Sequence, residues 1–187
     1  MKSITHFIFE IETLKNIKRS GAAIARISHP DSIAEHVAIA AQIAFLLAHM
    51  EGASAEKCAC ILLFHDNAEI RIGDLNKIQA RYLDSKEAEQ NAHNDQIRSL
   101  PTSAQLDLQR YFTEFTEQKT KEAKICKDAD YLELAFQSKI YIEQGYHAKH
   151  DWLNNIEKSL KTDSAKQLFE ELKTTDSAEW WQGLKKL

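Results

Sequence analysis

Apolar side chains recur along this chain at intervals of three and four, the spacing of a helical face. In residues 3–17 the face is Ile4, Phe7, Ile8, Ile11, Leu14 and Ile17. Residues 22–30 carry no such run and read as a loop or short helical turn ending at Pro30. Ser32-Ile33-Ala34-Glu35 is a capping-box pattern, in which serine and glutamate satisfy each other's free backbone donors. It opens a helix to about Met50, with Val37, Ile39, Ala40, Ile43, Ala44, Leu46 and Leu47 as its apolar positions. Gly52 and Ser54 separate it from a helix over 55–72, with Ser54 as the expected N-cap. A second capping-box pattern, Asp84-Ser85-Lys86-Glu87, starts a helix to about Leu100, and Pro101 and Ser103 introduce another at 104–118. A long helix over 120–144 follows. Its stripe of Ile125, Ala129, Leu132 and Phe136 is widened by Tyr131, Leu134, Ala135 and Ile142, and Gly145 ends it. Two shorter helices, 148–160 and 163–173, precede a tail with Trp180-Trp181, expected to anchor on the core or on another subunit.

Composition agrees with an all-α fold. Only 5 Gly and 2 Pro in 187 residues leave few turn-formers, which argues for long helices with short connections. The net charge of −4 gives no global attraction to nucleic acid or acidic membranes, so an anionic substrate has to be held by local charge. No apolar run is expected to reach the roughly 18 residues of a membrane span, and no signal peptide precedes the first helix. Three cysteines without a CxxC pair, Cys58, Cys60 and Cys126, read as reduced thiols of a cytoplasmic protein.

The chemistry concentrates between Ile61 and Asp74. An apolar run leads into His65-Asp66, Glu69 follows, and Gly73-Asp74 closes the segment. On a helix His65 and Asp66 lie about 100° apart and Glu69 projects from the same side, so one divalent ion could be shared. For the bare dipeptide a buried His–Asp hydrogen bond at a helix end is the commoner explanation. His36, in the first turn of its helix, is on its own more often a hydrogen-bonded core histidine than a ligand; Glu35 is accounted for by capping. In the long helix, Asp128 lines up with Lys121 and Lys124 and is expected to face water, whereas Asp130 lines up with Cys126 and Leu134 and points inward. His147 and His150 have ligand spacing without a third donor nearby. Lys18-Arg19-Ser20-Gly21 reads either as a solvated loop or as an anion clamp, since arginine offers a planar fork to phosphate.

Arg19-Ser20-Gly21, Asp31 to His36, His65 to Glu69 with Gly73-Asp74, Lys86-Glu87 with Glu89, and Thr120 to Ala123 with Lys127 to Glu133 together resemble the HD-domain metal-dependent phosphohydrolases, within them the compact 5′-deoxynucleotidase branch. The resemblance implies a single helical HD domain with its core in about 14–144. It implies one divalent metal ion (Co, Mn, Mg, Fe, Ni or Zn) held by His36, His65, Asp66 and Asp130. It further implies that Glu69 orients or deprotonates the attacking water, that Asp74 assists at the substrate and that Arg19 holds phosphate. The expected substrate is a nucleoside 5′-monophosphate, in a cytoplasmic homodimer. Where the family usually has tryptophan after the Arg-x-Gly pattern, this chain has Ala22, which puts selectivity at the sugar in question. Two other readings are an iron-dependent oxygenase on the same scaffold, which needs a second iron site, and a non-catalytic nucleotide-binding module.

Overall fold

The computed structural model describes residues 1–184, and among them helices carry the whole architecture. They are α1 (Lys2–Glu12), α2 (Ser20–Ile24), α3 (Ile33–Glu51), α4 (Ala55–Phe64), α5 (Glu69–Ile72), α6 (Ser85–Ile97), α7 (Thr102–Glu117), α8 (Lys121–Glu143), α9 (His150–Glu157) and α10 (Asp163–Thr174). No sheet forms among the described residues; the one extended contact is a bridge between Lys18 and Ser32.

Helices α3, α4 and α8 make the centre. Alanines 40, 41, 44 and 48 on α3 and 129 and 135 on α8 are buried, so the backbones approach closely around Leu47, Leu62, Ile125 and Leu132. The start of α3 is fixed by the expected box: Glu35 N–H donates to Ser32 Oγ at 3.3 Å, and Ser32 N–H donates to Glu35 Oε2 at 2.6 Å. Its end is fixed by Gly52 in the left-handed conformation, φ 65° and ψ 45°. The Thr120 hydroxyl caps α8 at Ala123 N–H, 3.0 Å.

Several sequence expectations need correcting. The helix expected over 55–72 breaks after Phe64 and resumes only at Glu69. Over 64–71 the backbone bonds tighten to i→i+3 contacts, Glu69 N to Asp66 O at 3.0 Å among them, while the Leu62 carbonyl accepts from the His65 ring. Ser54 makes no side-chain cap. The first helix stops at Glu12, because the chain must turn to bring Lys18 beside Ser32. By length and composition α3 does reach the apolarity of a membrane span; here its inner face is core and it carries a site histidine. Trp180 does not dock on the core, being 76% exposed. Finally, Asp128 does not face water. It is fully buried, and its carboxylate accepts from Lys161 N–H (3.0 Å), Thr162 N–H (2.6 Å) and the Thr162 hydroxyl (2.7 Å), which ties α8 to the start of α10.

Candidate metal centre and adjoining cavity

His36 leaves α3 one turn from its N-terminus and is fully buried. Its Nδ1 faces Glu133 Oε2 on α8 at 2.5 Å. His65, at the end of α4, donates from Nδ1 to the Leu62 carbonyl at 2.8 Å. Both rings are thereby fixed with the proton on Nδ1, which leaves the Nε2 lone pairs aimed into one space. Neither Nε2 makes a hydrogen bond. Each faces carboxylates instead: His36 Nε2 lies 3.2 Å from Asp130 Oδ1 and 3.6 Å from Asp66 Oδ2, and His65 Nε2 lies 3.1 Å from Asp66 Oδ1 and 3.9 Å from Asp130 Oδ1. Donor atoms of His36, His65 and Asp66 fall within 4.8 Å of one another, the one such group among the described residues. Two buried imidazole lone pairs without a hydrogen-bond partner, beside two carboxylates, fit a divalent cation.

The electrostatics point the same way. Burial opposes charge on His36, but with no cation in place the adjoining Asp130 and Glu133 carboxylates outweigh it and raise the ring to about 10. Burial, then Asp66 and Asp74, push the Glu69 carboxyl up to about 11, and its Oε2 is buried without a partner. Asp130 is held well below the usual carboxylate range: burial works against this, and Lys127, His36 and His65 overcome it. A crowd of carboxylates that forces one member to keep its proton is a site short of positive charge.

Around this centre Arg19 Nη1 lies 3.7 Å from Asp66, and the strand-like contact of Arg19 N–H with the Asp31 carbonyl at 3.1 Å sets where the guanidinium starts. Asp74 is anchored by the backbone N–H of Ser20, and Asn76 donates to the Ser20 hydroxyl at 3.1 Å, so the 74–76 loop is pinned to the first turn of α2. Gly73, φ 80° and ψ 161°, makes the turn that allows this; a side chain there would be strained. Arg19, Asp74 and Asp130 line a cavity of about 390 Å³ that continues over Ala22, Leu134, Gln137, Tyr141, Lys149 and Trp152.

The sequence-selected residues His36, His65, Asp66 and Asp130 thus converge, with Arg19, Glu69 and Asp74 beside them. Others do not join. His147 and His150 stack with each other at 6.0 Å on the surface, and His93 is stacked on Phe112 at 4.2 Å, where burial lowers it to about 4. Sequence reasoning assigned no role to Glu133, which orients His36, or to Lys127, whose Nζ lies 2.8 Å from Asp130 Oδ2. Both sit three residues from Asp130, spacing that places them on its face of α8 and could have flagged them. Lys149 and Trp152 carried no local signal.

A model of the HD domain matches residues 11–173. The chain belongs to the HD domain family. It is 26% identical over 143 residues to the 5′-deoxynucleotidase HDDC2 of Xenopus laevis, covering 76% of this chain and 71% of that one. To the 5′-deoxynucleotidase hdd1 of Schizosaccharomyces pombe it is 28% identical over 157 residues, covering 80% and 77%. Among solved structures, a predicted metal-dependent phosphohydrolase from Magnetospirillum magnetotacticum superposes with a TM-score of 0.69 at 26% identity, over 91% of this chain and 89% of that one.

Proposed function

We propose that this HD-family enzyme is a metal-dependent phosphohydrolase that releases phosphate from nucleoside 5′-monophosphates, deoxynucleotides among them. The observation that carries the reading is the pair of buried imidazoles, each fixed through Nδ1 and each presenting a free Nε2 toward Asp66 and Asp130. These four residues would hold one divalent ion. When bound, such an ion withdraws charge from the phosphoryl oxygens and acidifies water. Arg19 binds the phosphate, its charge kept in place by Asp66 and Asp74. Glu69, held beside Asp66 and Asp74 away from bulk solvent, would take the proton of the attacking water with a cation in place to offset the surrounding carboxylates. Asp74 positions substrate from the loop pinned to Ser20. Relatives named as 5′-deoxynucleotidases support the substrate class.

The chain acts as one HD unit in the cytoplasm, without nucleic acid or membrane as partner. Two copies would pair as a homodimer, for which Ile39, Leu46 and Met50, exposed along α3, offer an apolar face. An oxygenase would need donors for a second iron, and a pure binding module would have no use for a buried carboxylate poised beside the metal. A phosphate-release screen of nucleoside monophosphates against Co, Mn, Mg, Fe, Ni and Zn tests the reading. Release that requires both metal and Glu69 supports it; tight nucleotide binding with no phosphate released under any metal overturns it.

A further inference from the structure

The cavity continues well past the phosphate end. Its wall follows α8 from Asp130 through Leu134 and Gln137 to Tyr141, about 16 Å of helix at 1.5 Å per residue. That is room for a whole mononucleotide with its phosphate at Asp130. At the Tyr141 end the facing wall is α9 and the turn before it, with two side chains the hydrolytic chemistry does not use.

Trp152 is half-buried and lays the edge of its indole over Gly21; any methyl group on that Cα would collide with it. Ala22, beside it, is buried against Ala25, Ile27 and Tyr141, so the aromatic surface of this cavity comes from Trp152 on α9 with Tyr131 and Tyr141 on α8, and not from position 22. Lys149 is the second. Its residue is 2% exposed and lines the cavity, yet its ammonium makes no hydrogen bond or ion pair. Its nearest contacts are ring faces, 3.2 Å from the Trp152 centroid and 5.5 Å from that of Tyr141, while the Asp31 and Glu133 carboxylates attract it from beyond ion-pair distance. The two half-buried cations at the other end, Arg19 and Lys127, each face an aspartate. Cation–π contacts recover only part of an ammonium's lost hydration, and burial accordingly lowers Lys149 to about 8.

We propose that Trp152 and Lys149 form a nucleobase subsite that favours bases bearing an oxo group. Resting on the nucleotide reading above, the assignment follows from what each group offers. An indole face stacks on any base. An ammonium offers donors and no acceptor, so it matches the O6 and N7 of guanine or the O4 of thymine, and matches poorly the amino groups that adenine and cytosine present at the same edge.

The experiment compares kcat/KM for dGMP, dTMP, dAMP and dCMP in the native enzyme, Lys149→Met and Trp152→Ala, with inhibition by inorganic phosphate as control. The native enzyme is expected to favour dGMP and dTMP by about tenfold, the size of one charge-assisted hydrogen bond. Lys149→Met should erase that preference, and Trp152→Ala should raise KM for all four by about tenfold, with phosphate inhibition unchanged in both. Binding of deoxyguanosine and deoxyadenosine by calorimetry tests the subsite in the native protein without any turnover. If phosphate release fails but deoxyguanosine still binds more tightly, the subsite stands and the hydrolase reading falls. Equal binding of the two nucleosides, a base preference that survives Lys149→Met, or a Lys149-dependent gain for dGDP with no base preference would overturn the proposal.

Discussion

The two ends of the cavity share helix α8 and are built on opposite terms. At the Asp130 end nearly every polar atom is held by another: Glu133 fixes His36, the Leu62 carbonyl fixes His65, and Lys127 holds Asp130. What is left over, two Nε2 atoms and Glu69 Oε2, is where the proposed ion and water would sit. At the Tyr141 end rings and aliphatic side chains make much of the surface, interspersed with Asp31, Gln137 and Asn155, and one ammonium makes no hydrogen bond or ion pair. Rigid orientation suits chemistry on a phosphate common to all nucleotides. A stacking surface with few polar contacts suits a part that varies.

The largest effect that separates the ends should come from Glu69. Glu69→Gln keeps the shape and removes the base, so kcat is expected to fall 10²-fold or more with metal content unchanged and base preference intact. Steady-state kinetics beside metal analysis checks this; an unaltered kcat with saturating metal would remove Glu69 from the chemistry.

Next comes Asp128, two residues from Asp130 and also buried. Removing its carboxylate strands two backbone donors and a hydroxyl at the start of α10, so Asp128→Ala should cost about 3 kcal/mol of stability. Metal occupancy at low temperature should stay full. Urea denaturation with metal analysis measures both, and metal loss from a well-folded Asp128→Ala protein would contradict the division between the two aspartates.

These two aspartates also show what was legible. The helices, the capping box at Ser32 and the inward turn of Asp130 follow from side-chain spacing on single elements. Asp128 was misread because helical phase reports only which residues share a face. It cannot say that the Lys161–Thr162 turn, far along the chain, closes over that face. His65 and Asp66 converge with His36 even though their helix breaks, since a tight turn keeps them on one side. Lys149 and Trp152 were illegible for the reason that applies to Asp128: α9 reaches the cavity only through tertiary packing.

A smaller effect is expected from Glu133. Glu133→Gln leaves a weaker acceptor for His36 Nδ1, so metal affinity should drop about 10–100-fold, while KM differences among bases persist. Competition titration with a chelating dye reads it, and affinity within twofold of the native value would deny the orienting role.

The smallest is a pH effect. Without metal, His36 at about 10 and Glu69 at about 11 both titrate above their ordinary values of 6.5 and 4.5. A group raised on folding stabilises below its unfolded pKa and loses that contribution as pH climbs through the folded one. Metal-free stability should therefore decline from about pH 6 to about pH 9, through the lower part of both windows. Metal takes the place of the protons, so its addition should raise Tm by a few degrees more at the higher pH. Scanning fluorimetry with and without metal reads this; a gain independent of pH would mean that His36 and Glu69 do not exchange protons for metal.

The metal assignment is tested most directly by X-ray absorption at the metal edge of the fully loaded protein, with metal content measured on the same sample. One ion per chain is expected, bound by the imidazoles of His36 and His65 and by carboxylate oxygens of Asp66 and Asp130, with the imidazole signal reduced in His36→Ala. A second ion per chain, sulfur in the coordination sphere, or a spectrum unchanged in His36→Ala would contradict it.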